Sequence, residues 1–333
     1  MTAPVVLRVD PAAPSGPAIQ EAARRLRAGG LVAFPTETVY GLGANALDPE
    51  AVARIYAAKG RPSDNPLICH LPDTATARHT LAAEWPPAAA ALAEAFWPGP
   101  LTLVLPARAH LPSIVTAGTG RVAIRVPSHP VAQALLAAAG RPIAAPSANR
   151  STALSPTEAS HVLTSLGARA ECVLDGGPSE VGIESTIVDL TGPRPVLLRP
   201  GSISAAALEA VVGPLAVAEA VDAAGSAARS PGRRARHYAP TTPLRLVARF
   251  EPAVEELRGA LTRTGTVPEP PDGMLVRALP ADAAGFARRL YAALHELDAA
   301  GCVEIQVLTV PDSPEWLAVR DRLGRAAHRP LSR

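Results

Sequence analysis

The fold is indicated most clearly by residues 18–43, which read AIQEAARRLRAGGLVAFPTETVYGLG. Apolar residues recur at helical spacing over 18–28, and the Gly-Gly pair that follows would end such a helix. The apolar run from Leu31 to Phe34 then predicts a buried strand. A helix joined by a short turn to a buried strand is typical of an α/β fold, and it places the polar segment from Thr36 to Gly43 at the end of that strand.

The rest of the first 212 residues continues this mixture of helices and strands. Asp48 is a good N-cap ahead of Pro49, which predicts a helix over 49–58 that ends beside Lys59. We expect further strands at 67–71, 101–105, 122–126, 143–145 and 172–174, further helices at 87–96, 130–139, 156–166 and 204–212, and a hairpin over 186–199. The pattern predicts an α/β domain, residues 1–212, whose sheet mixes parallel and antiparallel strands.

A linker and a second, smaller domain follow. The Ala- and Gly-rich stretch that begins at residue 213 lacks strong periodicity, so we assign 213–241 to an interdomain linker. Residues 242–333 then alternate between strands at 244–248, 274–279 and 302–310 and helices at 251–263, 281–299 and 314–328. This order predicts a small doubly wound, Rossmann-like domain with a parallel sheet. It contains neither GxGxxG nor a P-loop motif, so no nucleotide site is indicated there.

Composition excludes several classes of protein. The 333 residues are 48% hydrophobic, which is typical of a globular chain, and only 3% aromatic, which disfavours a binder that stacks single-stranded nucleic acid. The net charge of +2 gives no general attraction to nucleic acid or to a membrane. The three cysteines are far apart and form no CxxC motif, and we find neither a signal peptide nor a long apolar run, so we expect a cytoplasmic protein without a membrane partner.

The scarcity of lysine draws attention to one loop. Lysine and arginine together number 32, yet Lys59 is the only lysine. It lies in a Gly- and Pro-rich loop of the first domain, where binding residues concentrate. Cations on such loops suit a polyphosphate ligand, and five are placed at the ends of predicted strands or helices: Lys59, Arg61, Arg121, Arg125 and Arg199.

Several stretches match one known family in order and in wording. They are PTETVYGLGANA (35–46), KGRPSDNPLICH (59–70), FWPGPLTLVL (96–105), VAIRVPSHP (122–130), PIAAPSANRS (142–151), DGGPSEVGIESTIVDL (175–190), LLRPGSIS (197–204) and SPGRRARHYAP (230–240). The chain resembles the YrdC/Sua5 family of threonylcarbamoyl-AMP synthases in its two-domain Sua5 form. Lys59 and Arg61 fit the KxR part of the family signature, and Ser147 and Asn149 fit its SxN part.

The resemblance implies a fold and a reaction. The expected fold is a YrdC-like twisted open mixed sheet around a large, positively lined cavity, with a linker that crosses the cavity mouth. The expected reaction joins L-threonine, bicarbonate and ATP to give L-threonylcarbamoyladenylate and pyrophosphate. This nucleotidyl transfer is the first step of the t6A modification of tRNA. The resemblance also implies Mg²⁺ carried with ATP, downstream t6A transferase proteins as partners, and a possible contact with tRNA or double-stranded RNA.

The resemblance also assigns roles to individual residues. Lys59 and Arg61 are the catalytic candidates. The candidates for binding threonine are Thr38, His70, Arg125 and Ser185. The candidates for binding the nucleotide are Lys59, Arg61, Asn65, Arg121, Ser147, Asn149, Ser155, Arg199 and Tyr238. No side chain is assigned to a metal ion.

Two other functions stay open at the level of sequence. The chain could be an RNA-binding module, which a salt-steep affinity for RNA without ATP turnover would favour. It could also be an enzyme of the same fold that transfers carbamoyl groups from another donor. The Sua5-type linker favours the adenylate synthase over the second alternative.

Overall fold

The computed structural model describes residues 3–218, 237–251, 256–265 and 271–327. In this part of the chain a mixed sheet of eleven strands is built from residues 5–217, and a parallel sheet of four strands from residues 244–308. The predicted combination of a large mixed sheet and a separate parallel sheet is confirmed.

The large sheet is formed by short strands. They are β1 (Val5–Arg8), β2 (Val32–Phe34), β3 (Gly41–Asn45), β4 (Ile68–His70), β5 (Leu101–Pro106), β6 (Arg121–Arg125), β7 (Ile143–Ala144), β8 (Cys172–Asp175), β9 (Thr186–Asp189), β10 (Val196–Arg199) and β11 (Ala216–Val217). Their order across the sheet is β1-β8-β2-β3-β7-β4-β6-β5-β9-β10-β11. The predicted hairpin is confirmed, because β9 and β10 pair antiparallel.

The helices of this domain are α1 (Pro17–Arg27), α2 (Pro49–Lys59), α3 (Thr74–Thr80), α4 (Pro87–Phe96), α5 (Ser113–Thr116), α6 (Pro130–Ala139), α7 (Ala159–Leu166) and α8 (Ala205–Val212). Helix α2 begins as predicted, since the Asp48 carboxylate accepts hydrogen bonds from the backbone amides of Glu50 and Ala51. Two core clusters cover the sheet. One includes α2 and α4, and the other contains α1 and α6.

The small sheet contains β12 (Leu244–Val247), β13 (Arg258–Arg263), β14 (Met274–Leu279) and β15 (Glu304–Leu308), all parallel, in the order β12-β15-β13-β14. Helices α9 (Ala283–Ala299) and α10 (Leu317–Ala327) pack against it in a shared apolar cluster. The predicted helix over 251–263 is wrong, because 258–263 form the strand β13. Ala260 and Leu261 are both fully buried in β13, as expected for a strand covered on two faces.

The two sheets meet through the loop that precedes β9. Val39, Leu154 and Ile183 of the first domain belong to the same apolar cluster as α9 and α10. Gly182 has φ +79°, and a Cβ there would lie 2.4 Å from the carbonyl oxygen of Arg288 in α9. Only glycine therefore allows this loop to approach the helix so closely.

Residues 219–236 of the predicted linker, with the Arg233-Arg234-Ala235 sequence, lie outside the described residues. The domain boundaries proposed from sequence therefore stay a prediction. Among the residues that the structure describes, no helix is both long enough and apolar enough to cross a bilayer.

Candidate functional site

A cavity forms where several strands of the large sheet end. Strands β4 and β6 are parallel neighbours, and His70 and Arg125, the last residues of each, are paired in register. The loop after β7, the loop before β9 and the last residue of β10 contribute to the same cavity. The lining comprises Thr36, Thr38, Val39, Tyr40, Gly41, Arg61, Ile68, His70, Arg125, Ala145, Pro146, Ser147, Glu184, Ser185, Arg199, His237 and Tyr238.

Lys59 is buried behind one wall of this cavity. It is the last residue of α2, and Gly60 ends the helix in the left-handed conformation, with φ 62°. Its Nζ donates to the carbonyl oxygen of Ser147 at 2.6 Å and also to that of Asn149. Burial, with the nearby charge of Arg61, lowers the pKa of Lys59 well below its usual value. The single lysine thus connects the KxR segment to the SxN loop.

Some of the side chains near Lys59 line the cavity, and others are buried behind its lining. Arg61 lines the cavity and donates from Nε to the carbonyl of Asn65 at 3.1 Å and from Nη2 to the carbonyl of Pro66 at 2.8 Å. Ser147 lines the cavity as well. The amides of Asn65 and Asn149 are buried, and the Oδ1 atom of each has no hydrogen-bond partner among the described residues.

Arg125, the last residue of β6, is held by polar groups of different kinds. Its Nη1 donates to Thr38 Oγ1 at 2.7 Å, and its Nε donates to the carbonyl of Gly99 at 3.3 Å. Its Nη2 lies 2.8 Å from Glu37 Oε2 in an ion pair whose geometry is not that of a hydrogen bond. Burial opposes ionisation of Glu37, but Arg125 and the backbone amide of Ser128 lower the pKa of this carboxyl below its usual value.

His70 lies next to Arg125 and is uncharged at neutral pH. Burial and the positive charge of Arg125 lower the pKa of His70 to about 3. Its ring packs edge-on against Phe34, with the ring centroids 6.1 Å apart. The Nδ1 atom has no hydrogen-bond partner in the described part of the chain, so His70 offers a neutral polar atom beside the cavity.

Arg199 and Ser185 form a third side of the cavity. Arg199 donates from Nε and Nη2 to the carbonyl of Ser185, at 3.1 and 3.0 Å, and from Nη2 to its hydroxyl at 3.1 Å. Ser155 lies behind this wall and donates to Glu184 Oε1 at 2.5 Å. Burial opposes ionisation of Glu184, but the charges of Arg322 and Arg199 lower the pKa of this carboxyl.

His237 and Tyr238 close the remaining side. Tyr238 is 1% exposed and has φ 60°, a left-handed conformation that is costly for a bulky residue. Burial, followed by the charges of Arg61 and Lys59, lowers the pKa of His237 well below its usual value. The described end of the predicted linker therefore does lie at the cavity.

The structure brings most of the predicted site residues together. All four residues assigned to threonine line the cavity, as do Arg61, Ser147, Arg199 and Tyr238 of the nucleotide set. Lys59, Asn65, Asn149 and Ser155 are buried behind the lining. Arg121 is at the other end of β6 from Arg125, with a 43% exposed side chain that forms an ion pair with Asp189 at 3.6 Å.

Two buried carboxylates were not among the predicted site residues. Glu37 holds Arg125, and Glu184 lines the cavity. Glu37 lies in the quoted stretch PTETVYGLGANA, and Glu184 lies in the segment GIEST of DGGPSEVGIESTIVDL. A single acidic residue among apolar and hydroxyl-bearing neighbours is the sequence feature that could have identified each of them. Within the described ranges, no group of three or more His, Cys, Asp or Glu residues could hold a metal ion.

Fold and site together define an α/β protein with two sheets and a cavity lined by Arg61, Arg125 and Arg199. A family model named Sua5/YciO/YrdC, with the description telomere recombination, matches residues 24–201. A second model, described as the C-terminal domain of threonylcarbamoyl-AMP synthase, matches residues 203–328. Threonylcarbamoyl-AMP synthases of Pyrococcus abyssi and Bacillus subtilis are each 42% identical to the chain. The alignments cover 93% of this chain and 94% and 93% of those proteins.

Solved structures agree with these matches. P. abyssi Sua5 complexed with L-threonine has a TM-score of 0.88 at 40% identity over 97% of both chains. A variant of P. abyssi Sua5 in which a histidine and the tyrosine after it are changed to alanine has a TM-score of 0.85 at 37% identity, over 97% of this chain and 96% of that one. The chain belongs to the Sua5/YrdC family.

Proposed function

We propose that this protein is an L-threonylcarbamoyladenylate synthase, a nucleotidyltransferase that converts L-threonine, bicarbonate and ATP to threonylcarbamoyl-AMP, pyrophosphate and water. The observation that carries the proposal is that one cavity brings Thr38, His70, Arg125 and Ser185 next to Arg61 and Arg199. Relatives of nearly the same length that bear the name threonylcarbamoyl-AMP synthase support it.

The amino acid is assigned to the Arg125 side. A guanidinium has five N–H groups, and hydrogen bonds to Thr38 and Gly99 use two of them, while Nη2 also lies 2.8 Å from Glu37 in an ion pair. The remaining donors can take the threonine carboxylate as a planar pair of hydrogen bonds. Neutral His70 and the hydroxyls of Thr38 and Ser185 supply polar groups for the amino group and the hydroxyl of threonine.

The nucleotide is assigned to the side where Lys59 connects two loops. Arg61 and Ser147 line the cavity there, and Arg199 lines it beside Ser185. The unused Oδ1 atoms of Asn65 and Asn149 lie behind the lining and can only accept, so they suit a hydroxyl or amino group of the nucleotide and not its phosphates. The fixed cations suit a triphosphate, whose transfer reactions depend on positioning and on neutralising charge. Ser155 does not line the cavity, and it acts through Glu184, to which its hydroxyl donates. The position of Arg121 does not support a direct nucleotide contact in this conformation.

The chemistry requires two anions to meet. The threonine nitrogen bonds to the bicarbonate carbon, and water is lost to give a carbamate. A carbamate oxygen then bonds to the α-phosphorus while the bond to the pyrophosphate oxygen breaks. Arg125 would hold one reactant while Lys59, Arg61 and Arg199 hold the other, which overcomes the repulsion through orientation.

We propose that Mg²⁺ enters with ATP as its counter-ion. Among the described residues, Glu184 is the only carboxylate on the lining, and its oxygens already accept from Ser155, Tyr291 and Arg322. This donor set does not fit a resident magnesium site, so the triphosphate itself would supply the main ligands.

His237 and Tyr238 act as a lid over the nucleotide in this proposal. They line the cavity and lie within the predicted linker, residues 213–241. They also form the only adjacent His-Tyr pair in the sequence, the same pair of residue types that was changed to alanine in the P. abyssi Sua5 variant. The product would pass to downstream t6A transferase proteins, with tRNA as the final acceptor.

The test is to incubate the purified protein with ATP, Mg²⁺, labelled bicarbonate and L-threonine. We expect a labelled adenylate and an equal amount of pyrophosphate, and no label in the adenylate when threonine is left out. Pyrophosphate release without a labelled adenylate would overturn the proposal, and so would an active protein that does not distinguish threonine from valine.

A further inference from the structure

One side chain of the C-terminal domain reaches the cavity wall. Arg322 lies on α10, and its side chain is fully buried, with 0% exposure. A buried charge is costly unless it is paired and hydrogen-bonded, so the partners of this guanidinium indicate its role. These partners belong to both domains.

The partners in the first domain are cavity residues or their direct neighbours. Arg322 Nε donates to Glu184 Oε2 at 2.6 Å, and Nη2 donates to the carbonyl of Pro200 at 3.0 Å. Glu184 lines the cavity, and Pro200 follows Arg199, which lines it too. One guanidinium therefore fixes two adjacent parts of the wall.

The same guanidinium supports the lid. Its Cζ atom lies 5.1 Å from the ring centroid of Tyr238, within the range of a cation–π contact. Tyr238 lines the cavity as well. On α10, the carboxylate of Asp321 accepts from Arg322 Nη1 at 2.6 Å and from Arg325 Nε at 2.9 Å, which holds Arg322 in place.

We propose that Arg322 is a positioning residue through which the C-terminal domain completes the nucleotide end of the cavity. It neutralises Glu184, which would otherwise repel a triphosphate, and it supports the ring of Tyr238 in its left-handed conformation. The small domain thus takes part in nucleotide binding, although its own sequence contains no nucleotide-binding motif.

Adhesion between the domains is the competing explanation for this contact. Against it, Val39, Leu154 and Ile183 already pack into the apolar cluster of α9 and α10. A buried ion pair adds little stability compared with apolar residues of similar volume. A role in adhesion alone would leave the Michaelis constants for substrates unchanged in a variant that still folds.

The experiment compares Glu184→Gln with the double variant Glu184→Gln, Arg322→Met, which avoids an unpaired buried carboxylate. We expect both to fold, with melting temperatures within a few degrees of each other. Because Glu184→Gln already removes the carboxylate that Arg322 neutralises, these two variants differ only in the support of Tyr238, and we expect the double variant to have a KM for ATP severalfold above that of Glu184→Gln, with a smaller change in kcat. Arg322→Met alone tests the neutralising role, because it leaves Glu184 charged and should raise the KM for ATP further than the double variant does. Equal KM values for ATP would overturn the proposal.

Two further variants keep the result interpretable if the double variant is unstable. Arg322→Lys keeps the charge but loses the planar face toward Tyr238, so we expect a severalfold rise in the KM for ATP. An unchanged KM in Arg322→Lys would contradict the proposal. Arg320→Met is the matched control, because Arg320 is on the same helix but contacts Asp312, Pro311 and Ser313, none of which lines the cavity.

The inference rests on the proposed function, since ATP is the ligand measured. The two can fail separately. An unmodified protein that makes no adenylate would overturn the proposed function. An active unmodified protein with unaffected Arg322 variants would overturn the inference alone.

Discussion

Lys59 and Arg125 are both buried cations beside the same cavity, but their surroundings differ. Lys59 donates to two neutral backbone carbonyls, those of Ser147 and Asn149. Arg125 forms an ion pair with Glu37 and a hydrogen bond with Thr38. Burial lowers the pKa of Lys59, but two carbonyl dipoles favour its ammonium form, so Lys59 adds positive charge beside the cavity. Arg125, beside a carboxylate, mainly offers directed donors. The first arrangement suits a polyphosphate, and the second suits a zwitterion such as an amino acid.

The largest expected effect is the loss of the Lys59 charge. Lys59→Met should lower kcat/KM by about 100-fold or more, which corresponds to about 3 kcal/mol of transition-state stabilisation. Lys59→Arg should also be impaired, because a planar guanidinium does not fit where Nζ lies 2.6 Å from a carbonyl oxygen. Steady-state kinetics of purified variants would measure both effects.

Arg54→Met is the control for Lys59. Arg54 is on the same helix, and its side chain is 49% exposed and paired with Glu171 away from the cavity. Its kinetics should match those of the unmodified protein. Unmodified turnover in Lys59→Arg would mean that any cation suffices at this position.

Substitution of Arg125 should weaken the binding of threonine more than that of ATP. Arg125→Lys loses the planar pair of donors, so the KM for threonine should rise by about 10- to 100-fold, as expected for hydrogen bonds to a charged group worth about 1.5–3 kcal/mol. The KM for ATP should change less than threefold. Initial rates with each substrate varied in turn would separate the two constants.

Arg121→Lys provides the comparison within the same strand. Arg121 is exposed at the opposite end of β6, so neither constant should change. A selective rise in the KM for ATP would restore the role of Arg121 in nucleotide binding that the family resemblance implies.

The stability of the protein should depend more on Gly182, in the loop that carries Glu184, than on Gly177. Gly182 and Gly177 have φ values of +79° and +82°, so alanine is strained at both positions. Only at Gly182 would the new Cβ meet backbone atoms, which lie in α9. Gly182→Ala should therefore lower the free energy of unfolding by about 2 kcal/mol more than Gly177→Ala. Urea denaturation would measure both, and equal losses would refute the importance of the close approach.

The smallest effect expected is a dependence of stability on pH. Burial lowers the pKa of His70 to about 3, whereas the value in the unfolded chain is near 6.5. Below pH 6.5 the unfolded state binds a proton that the folded state does not, so stability falls as the pH decreases. At pH 5.5 this costs about 1.4 kcal/mol. His70→Gln should lose correspondingly less stability between pH 7.5 and 5.5 in urea titrations, and parallel losses would contradict the neutral, buried state of His70.

The sequence predicts those parts of the structure that depend on local patterns. Buried strands such as β5 and β6 and the capped helix α2 were visible in short windows, because periodicity and capping are local. The error at 258–263 has a physical reason. The window Arg258-Gly259-Ala260-Leu261 has too few β-branched residues to indicate a strand, and its pairing with β14 and β15 outweighs local propensity.

The site, like the fold, was predictable only where local sequence motifs identify its residues. The sequence motifs identified residues that line the cavity. They gave no indication that Glu37 pairs with Arg125 or that Glu184 pairs with Arg322. Arg322 carried no signal, because one arginine among many on a helix resembles a surface charge until the fold brings the helix to Glu184. Contacts between distant segments need the three-dimensional structure.

Equilibrium binding tests most directly whether Lys59 serves ATP while Arg125 serves threonine. The dissociation constants of MgATP and of L-threonine should be measured for the unmodified protein, Lys59→Met and Arg125→Lys. The account predicts a crossed pattern, in which Lys59→Met weakens ATP binding at least tenfold with little effect on threonine, and Arg125→Lys does the reverse. If both variants weakened both ligands equally, the two cations would serve one shared site and the account would be contradicted.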